Sequence, residues 1–251
     1  MHRLTIAVAQ VPSVKGHVSQ NIQTHLSVIK QAAELNVTYI VFPELSLTGY
    51  EPELAADLAF TKDDQRLQPL IECAKKHKIT VSVGVPLMSY GLPKIGALII
   101  SPLGEVTHYQ KMYLHPGEDT YFSKGDNHCV LSIGNHKLAS AICADTNHQE
   151  HVQACVELGA TVYIAGVLIS DNGYAADSAK LAHYADKYNM LVAMANHNRL
   201  TGQWQPIGKS AIYYKNSVLA MADEQQNALV VAQYVCGDWA AKVHAISNCL
   251  T

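Results

Sequence analysis

Residues 4–42 read LTIAVAQVPSVKGHVSQNIQTHLSVIKQAAELNVTYIVF, and the rhythm of this stretch decides the fold class. Leu4–Gln10 is a short apolar run with the character of a strand. Val18, Ile22, Leu26, Ile29 and Ala33 then recur at spacings of four and three, which places them on one face of a helix. Thr38–Phe42 is again extended and apolar, and Pro43 stops it. The alternation continues outward. Asp63 and Asp64 are expected to open a second helix whose last turn carries Lys75, Lys76, His77 and Lys78, a polarity that suits the helix dipole. Thr80–Val85 is the next strand.

The middle of the chain reads as hairpins. Ala97–Ser101 and Val106–Gln110 flank the turn sequence Pro102-Leu-Gly-Glu105, and Cys129–Ile133 and Lys137–Ile142 flank Gly134-Asn135. A second strand–helix alternation follows: a helix around Glu150–Leu158, the strand Thr161–Ala165, a helix over Ala175–Tyr188 and the strand Leu191–Asn196. Ser210–Tyr214, Ser217–Ala222 and Ala228–Tyr234 are extended, and Trp239–Ile246 is expected as a last short helix. Strands alternating with helices, interrupted by hairpins, imply an α/β protein with mixed sheets and helices on their faces. The strand–helix–strand–helix pattern occurs twice, as two sheets with outer helices would require.

Composition bounds the function. The chain has 251 residues, a length one α/β domain accommodates, so residues 1–251 are expected to form a single domain. Apolar residues make up 49% and charged residues 16%, richer in core-forming residues than average. With a net charge of −3 and no basic stripe, nucleic acid and anionic membrane are poor partners. No apolar run approaches the ~18 residues that span a bilayer, and Met1-His2-Arg3 leads directly into the first strand, so a cytoplasmic protein is expected. The six cysteines include no C-x-x-C pair and are expected as free thiols.

Three residues draw attention by position. Cys143 ends the apolar run Leu138-Ala-Ser-Ala-Ile142 and precedes a helix start, where Thr146-x-x-Gln149 and Asn147-x-x-Glu150 resemble capping boxes. Backbone N–H groups and the helix dipole favour a thiolate there. The other five cysteines lack that context and are expected to pack. Glu44 follows a buried strand, where desolvation raises a carboxyl pKa and makes a better proton acceptor. Lys111 ends a hairpin strand, placed to stabilise an oxyanion. Glu118, in the Pro-Gly loop that follows, is a second carboxylate for orienting the lysine or a substrate. Taken singly, each has a commoner structural explanation.

Taken together, Phe42-Pro-Glu-Leu-Ser-Leu-Thr-Gly-Tyr50, Tyr109-Gln-Lys-Met-Tyr-Leu-His-Pro-Gly-Glu118 and Ile142-Cys-Ala-Asp145 resemble the nitrilase, or carbon–nitrogen hydrolase, superfamily. Gln10, Gly159-Ala160 and Asn196 extend the likeness over nearly the whole chain. The resemblance implies a four-layer α-β-β-α sandwich with two mixed sheets, assembled as a homodimer or larger homo-oligomer. It also implies hydrolysis of a small-molecule amide with no cofactor and no metal. Glu44 would be the base, Cys143 the nucleophile, and Lys111 with the Ala144 N–H the oxyanion donors, with Glu118 in support. Tyr50 and Val167 are expected to contact substrate. Departures are Ala144 where relatives often carry an aromatic residue, Asn147-His-Gln-Glu150 for an Arg-Phe-Pro-Glu type of stretch, Gly166-Val-Leu168 for a Pro-Ser-Ala-Trp type, and Gly208-Lys-Ser210 for a Gly-Gly-Ser type. All bear on substrate rather than on the three reacting groups.

Within the superfamily, N-carbamoyl-amine and nitrile hydrolysis remain open. Two readings lie outside amide chemistry. The 13 histidines and six cysteines raise a metal site, although His148 and His151 lack an H-E-x-x-H arrangement and His128-Cys129 lacks matching partners. A catalytically silent binding or scaffold protein would share the fold, but retention of all three reactive residues argues against it.

Overall fold

The computed structural model describes residues 4–247, so Met1-His2-Arg3 and Cys249 lie outside the described residues. The strands are β1 (Thr5–Gln10), β2 (Tyr39–Val41), β3 (Thr80–Leu87), β4 (Lys94–Ile100), β5 (Val106–Gln110), β6 (Val130–Ile133), β7 (His136–Ile142), β8 (Val162–Val167), β9 (Leu191–Asn196), β10 (Ala211–Tyr214), β11 (Ser217–Met221), β12 (Ala228–Val235) and β13 (Asp238–Ala245). The helices are α1 (Val18–Glu34), α2 (Ala55–Leu58), α3 (Gln68–His77), α4 (Gln149–Glu157) and α5 (Asp171–Lys187).

The strands form two sheets, ordered β13-β12-β1-β2-β3-β4-β5 and β11-β10-β9-β8-β7-β6. Each sheet repeats one plan. Three parallel strands linked through helices (β1-β2-β3 in one, β7-β8-β9 in the other) are followed by two antiparallel strands. That is the repetition visible in the sequence.

Three apolar interfaces define four layers. Val28, Ile29 and Ala32 of α1 and Leu70 of α3 pack on Ala7, Ile40 and Val83 of the first sheet. Ile6, Val8 and Val41 meet Ile164, Ala193 and Ile212 between the sheets. Tyr163, Val192 and Met194 pack against Val152, Leu181 and Tyr184 of α4 and α5. Alternation along a strand sends successive side chains to opposite faces, so Ile6 and Val8 enter the inter-sheet core while Ala7 and Ala9 face the helices. Burial on both faces explains why β1, β2, β8 and β9 read as unbroken apolar runs.

Three expectations are corrected. Trp239–Ile246 is not helical: residues 238–245 form β13, which pairs antiparallel with β12. Cys236 and Gly237 both adopt positive φ, at 52° and 89°, as a two-residue type I′ hairpin turn requires. Trp239, Ala241 and Val243 then fall on the inter-sheet side at the period of a strand. Cys236 is therefore an exposed turn residue and not a packing cysteine. In addition, Asp64 caps only a short 3-10 turn, accepting from Arg66 N at 2.9 Å, and α3 begins after it, at Gln68. The five described cysteines are all free thiols.

Candidate active site

Glu44 is positioned by the end of β2. Phe42 N makes a last ladder bond to Ser82 O at 2.9 Å, and Pro43 then removes a donor and ends the pairing. The chain turns at Leu45, whose φ is 52°. Glycines on both sheets make room for that turn. A Cβ on Gly84 of β3 would lie 2.3 Å from Leu45 N and 2.4 Å from Pro43 O, and one on Gly166 of β8 would lie 2.6 Å from Phe42 O. The loop is pinned by side chains. His197 Nε2 donates to Glu44 O at 2.7 Å, and Ser46 Oγ accepts from Gly84 N at 3.1 Å while bonding His25 Nε2 at 3.0 Å.

Lys111 follows β5. Its backbone N–H reaches Ile95 O at 2.8 Å and its carbonyl accepts from Gly125 N at 2.7 Å, so the backbone is held on both sides. Its ammonium donates to Glu44 Oε1 at 2.7 Å and to both oxygens of Glu118, at 2.8 and 2.9 Å. Glu118 also accepts from Tyr50 Oη at 2.6 Å and from His115 N at 2.7 Å. The side chains of Lys111, Glu44 and Glu118 are 0%, 0% and 3% exposed. Charges this deep survive only when paired and hydrogen-bonded, because desolvation costs several kcal/mol per ion. One ammonium here serves two carboxylates, and of their four oxygens Glu44 Oε2 alone lacks a hydrogen-bond partner among the described residues.

Cys143 follows the last residue of β7 and opens a 3-10 turn, Cys143–Asn147, rather than α4 itself. Its φ of 42° is costly for a residue with a Cβ, of order 1–3 kcal/mol, and persists only where the surroundings enforce it. They do. Thr146 Oγ1 donates to Cys143 O at 2.8 Å. Asp145, fully buried, accepts from Ile142 N and Tyr109 Oη on one oxygen, at 2.9 and 2.7 Å, and from Met112 N and Tyr113 N on the other, at 3.0 and 2.9 Å. One carboxylate thus ties the cysteine turn to the lysine loop. The two anticipated capping boxes are absent: the residue preceding α4 is His148, with no side-chain cap, and Thr146 is committed to Cys143 instead.

The electrostatics follow from burial and these contacts. Desolvation is the main force lifting the Glu44 carboxyl to about 7, with the Lys111 charge opposing it and Glu118 adding to it. Burial opposes the Lys111 ammonium, but Glu44, Cys143 and Glu118 outweigh it and hold the amine protonated. Burial, then the Glu44 charge, pushes the Cys143 thiol up, while Lys111 pulls it down. The resting state pairs a thiol with a carboxyl poised near neutrality.

These groups form the floor of a cavity of about 150 Å³. Glu44, Glu118, Cys143, Ala144 and Tyr50 line it, and Lys111 stands behind the carboxylates. Val167, expected at the substrate, is not there. It lies on the helix side of β8, packed in the core with Val152 and Leu181, and the next residue, Leu168, faces the cavity with Ile169. Side chains alternate along a strand, so a one-residue difference reverses the face. The walls contributed by Ser170, Asp177 and Trp204 carried no motif in the sequence, and Asn147 stood out there only as a capping residue and within a stretch that departs from its relatives. Asp145, His197 and Asn196 also act in positioning. Asn196 accepts from Ile169 N at 3.0 Å and donates to Ile169 O at 2.9 Å, fixing the loop that bears Leu168. Their sequence signal is a polar residue at the end of an apolar run, which names no partner.

His128, His151 and Cys155 come together away from the cavity, with ligating atoms within 4.8 Å of one another. Both ring nitrogens of His151 are already engaged, by Tyr109 Oη at 2.8 Å and Tyr163 Oη at 2.9 Å, so His151 belongs to a hydrogen-bonded core network leading to Asp145.

A carbon–nitrogen hydrolase family model matches residues 5–241. The chain belongs to the carbon–nitrogen hydrolase family. Curated relatives include the glutamine-dependent NAD(+) synthetase of Aquifex aeolicus, 29% identical over 77% of this chain and 35% of that protein. They also include an (R)-stereoselective amidase of Pseudomonas sp., 26% identical over 64% of this chain and 59% of that protein. The chain thus spans about a third of the length of the synthetase and about three-fifths of the amidase. Among solved structures, an amidase of Nesterenkonia sp. AN1 from the nitrilase superfamily superposes with a TM-score of 0.85, at 22% identity over 93% of this chain and 92% of that one. A further structure of that amidase carries the acetamide moiety of fluoroacetamide covalently at its active-site cysteine; its TM-score is also 0.85. The fold is thus that of nitrilase-superfamily amidases. Among the described residues, no helix of this carbon–nitrogen hydrolase is long and apolar enough to cross a membrane.

Proposed function

We propose that the protein hydrolyses a small linear amide through a thioester on Cys143. The observation that carries this reading is the Lys111 ammonium bridging Glu44 and Glu118 beneath a cavity that also exposes the Cys143 thiol. Only a few per cent of an ordinary thiol is ionised at neutral pH, so the nucleophile needs a base. Glu44, with its carboxyl near 7, fills that role. It takes the Cys143 proton as sulfur attacks the amide carbon. The developing oxyanion is held by Lys111 and the Ala144 N–H. That N–H is the second in its 3-10 turn and falls among the donors a helix start leaves without intrahelical partners. Two of the Lys111 contacts go to one Glu118 carboxylate, so one N–H can turn to the oxyanion without unpairing either acid. Glu44 then passes its proton to the leaving amine. Water, deprotonated by the same carboxylate, cleaves the thioester, and the proton returns to sulfur.

The covalent acetamide adduct on the Nesterenkonia amidase supports a cysteine nucleophile on this fold. The NAD(+) synthetase relatives, named as glutamine-dependent, favour a second reading in which the scissile amide is that of glutamine. One assay separates them. Acetamide, butyramide and glutamine are each offered to the protein, ammonia is measured, and intact mass is recorded during turnover. Ammonia from the simple amides, with an acyl adduct mapped to Cys143, supports the reading. Release from glutamine alone would replace it with the second, and turnover without an adduct on Cys143 would refute both.

A further inference from the structure

The floor of the cavity is accounted for by the reaction, but its outer wall is not. That wall holds a carboxylate with no part in the chemistry above, Asp177 on α5, whose side chain is 18% exposed. Asp177 Oδ1 pairs loosely with Lys180 at 3.4 Å. Its Oδ2 has no hydrogen-bond partner among the described residues, and a Cβ on Gly173, itself a cavity-lining residue, would lie 3.4 Å from it. Lys180 is 43% exposed, also reaches Asn147 Oδ1, and is not part of the cavity wall. Among the described residues lining the cavity there is no lysine and no arginine, whereas three are acidic: Glu44, Glu118 and Asp177. Lys111 neutralises part of the floor from behind. Lys180 meets Asp177 only at Oδ1 and from outside the cavity wall, which leaves Oδ2 open.

Shape adds a length. About 150 Å³ is the size of a cavity that admits benzene, on the order of six non-hydrogen atoms. With the amide carbon at Cys143, the rest of a molecule of that size shares the cavity with Asp177. Leu168 and Ile169 give it apolar sides, and Trp204, 45% exposed, stands at the rim. We propose that Asp177 determines specificity, and that the substrate is an amide with a three- or four-carbon acyl chain carrying an ammonium group at the end remote from the scissile bond. This rests on the amidase reading of the same site. The ammonium would replace solvent at Asp177 Oδ2, and an acyl chain ending in a carboxylate would meet an acidic wall whose neighbouring cation, Lys180, lies outside the cavity and is already paired.

The test uses three amides of similar length: 4-aminobutyramide, butyramide and succinamate, which are cationic, neutral and anionic. For the wild type, kcat/KM is expected in that order. In Asp177→Asn the ratio of 4-aminobutyramide to butyramide should fall roughly tenfold, the usual scale for losing a hydrogen bond to a charged group. In Lys180→Met, a surface change that removes the competing cation, the same ratio should rise. Ratios within twofold of wild type in both variants, or succinamate as the best substrate, would overturn the proposal. A wild type that hydrolyses none of the three, nor acetamide, would refute the amidase reading, and the inference would then be judged separately by protection of Cys143 from iodoacetamide. Stronger protection by 4-aminobutyramide than by butyramide, lost in Asp177→Asn, would sustain Asp177 as a cation receptor. Equal or absent protection would end it.

Discussion

Replacing Lys111 by Met removes the one cation that two buried carboxylates share, and the consequences divide into rate and stability. The side chain is fully buried and makes three contacts of 2.7 to 2.9 Å to Glu44 and Glu118. Breaking a buried ion pair from one side costs about 3–5 kcal/mol, because the abandoned charge stays desolvated. For a chain of this size that is a fall in Tm of roughly 6–20 °C. The catalytic loss should be about 10²–10³ in kcat if the ammonium holds the oxyanion. The stability loss must also depend on pH. Lys111 is the leading influence holding the Glu44 carboxyl down against burial, so without it Glu44 binds its proton still more tightly. Above neutrality the variant forces two unpaired carboxylates to ionise or one to hold a proton at a cost. In acid Glu44 is protonated and no longer needs a cation, so the wild-type ammonium loses one of the two charges it pairs with. The Tm gap between wild type and Lys111→Met should therefore be widest near pH 8 and narrow as pH falls through 7. Adding Glu118→Gln to the variant should recover part of the stability but none of the activity. Calorimetry across pH and steady-state kinetics decide it. A gap independent of pH, or a variant altered only in KM, would refute the shared-cation argument.

Cys143→Ala should abolish turnover while circular dichroism and Tm stay near wild type; retained ammonia release would remove the nucleophile assignment. The acid limb of kcat/KM should lie near pH 7, because the base must be ionised and burial lifts Glu44 to about 7. A limb near 4.5 would mean that another group is the base. The same shift has a thermodynamic sign: a carboxyl that is a weaker acid folded than unfolded costs stability as pH rises from about 4.5 through 7, and Glu44→Gln should remove that slope. Gly84→Ala would bring a methyl group within 2.3 Å of Leu45 N, a backbone atom. It should displace the Glu44 loop and lower kcat more than tenfold, an order-of-magnitude figure for misplacing a reacting group by about 1 Å; unchanged kcat would show that the loop tolerates the shift.

What the sequence settled by itself was periodic and local. Stripes at helical spacing gave α1, apolar runs buried on both faces gave β1, β2, β8 and β9, and Gly134-Asn135 gave the β6–β7 hairpin. The repeated strand–helix alternation announced two sheets with outer helices. Glu44, Lys111 and Cys143 were legible because each ends a strand inside a recognisable segment. The tertiary structure decided whatever depends on a distant partner. Trp239–Ile246 is too short and too uniformly apolar to separate a helix from a strand, and pairing with β12 chose the strand. Val167 and Leu168 are neighbours in sequence but face opposite sides of the sheet, which only the register fixes. The Lys111–Glu44 pair joins residues 67 positions apart, and whether that lysine is a solvated edge charge or a buried bridge depends on what folds over it. Gly84 and Gly166 look like ordinary strand glycines until the second sheet closes and leaves no room for a Cβ beside the Glu44 loop. A residue's periodicity belongs to its own segment; its desolvation and its partners belong to the packed layers, and catalysis at this site draws on both.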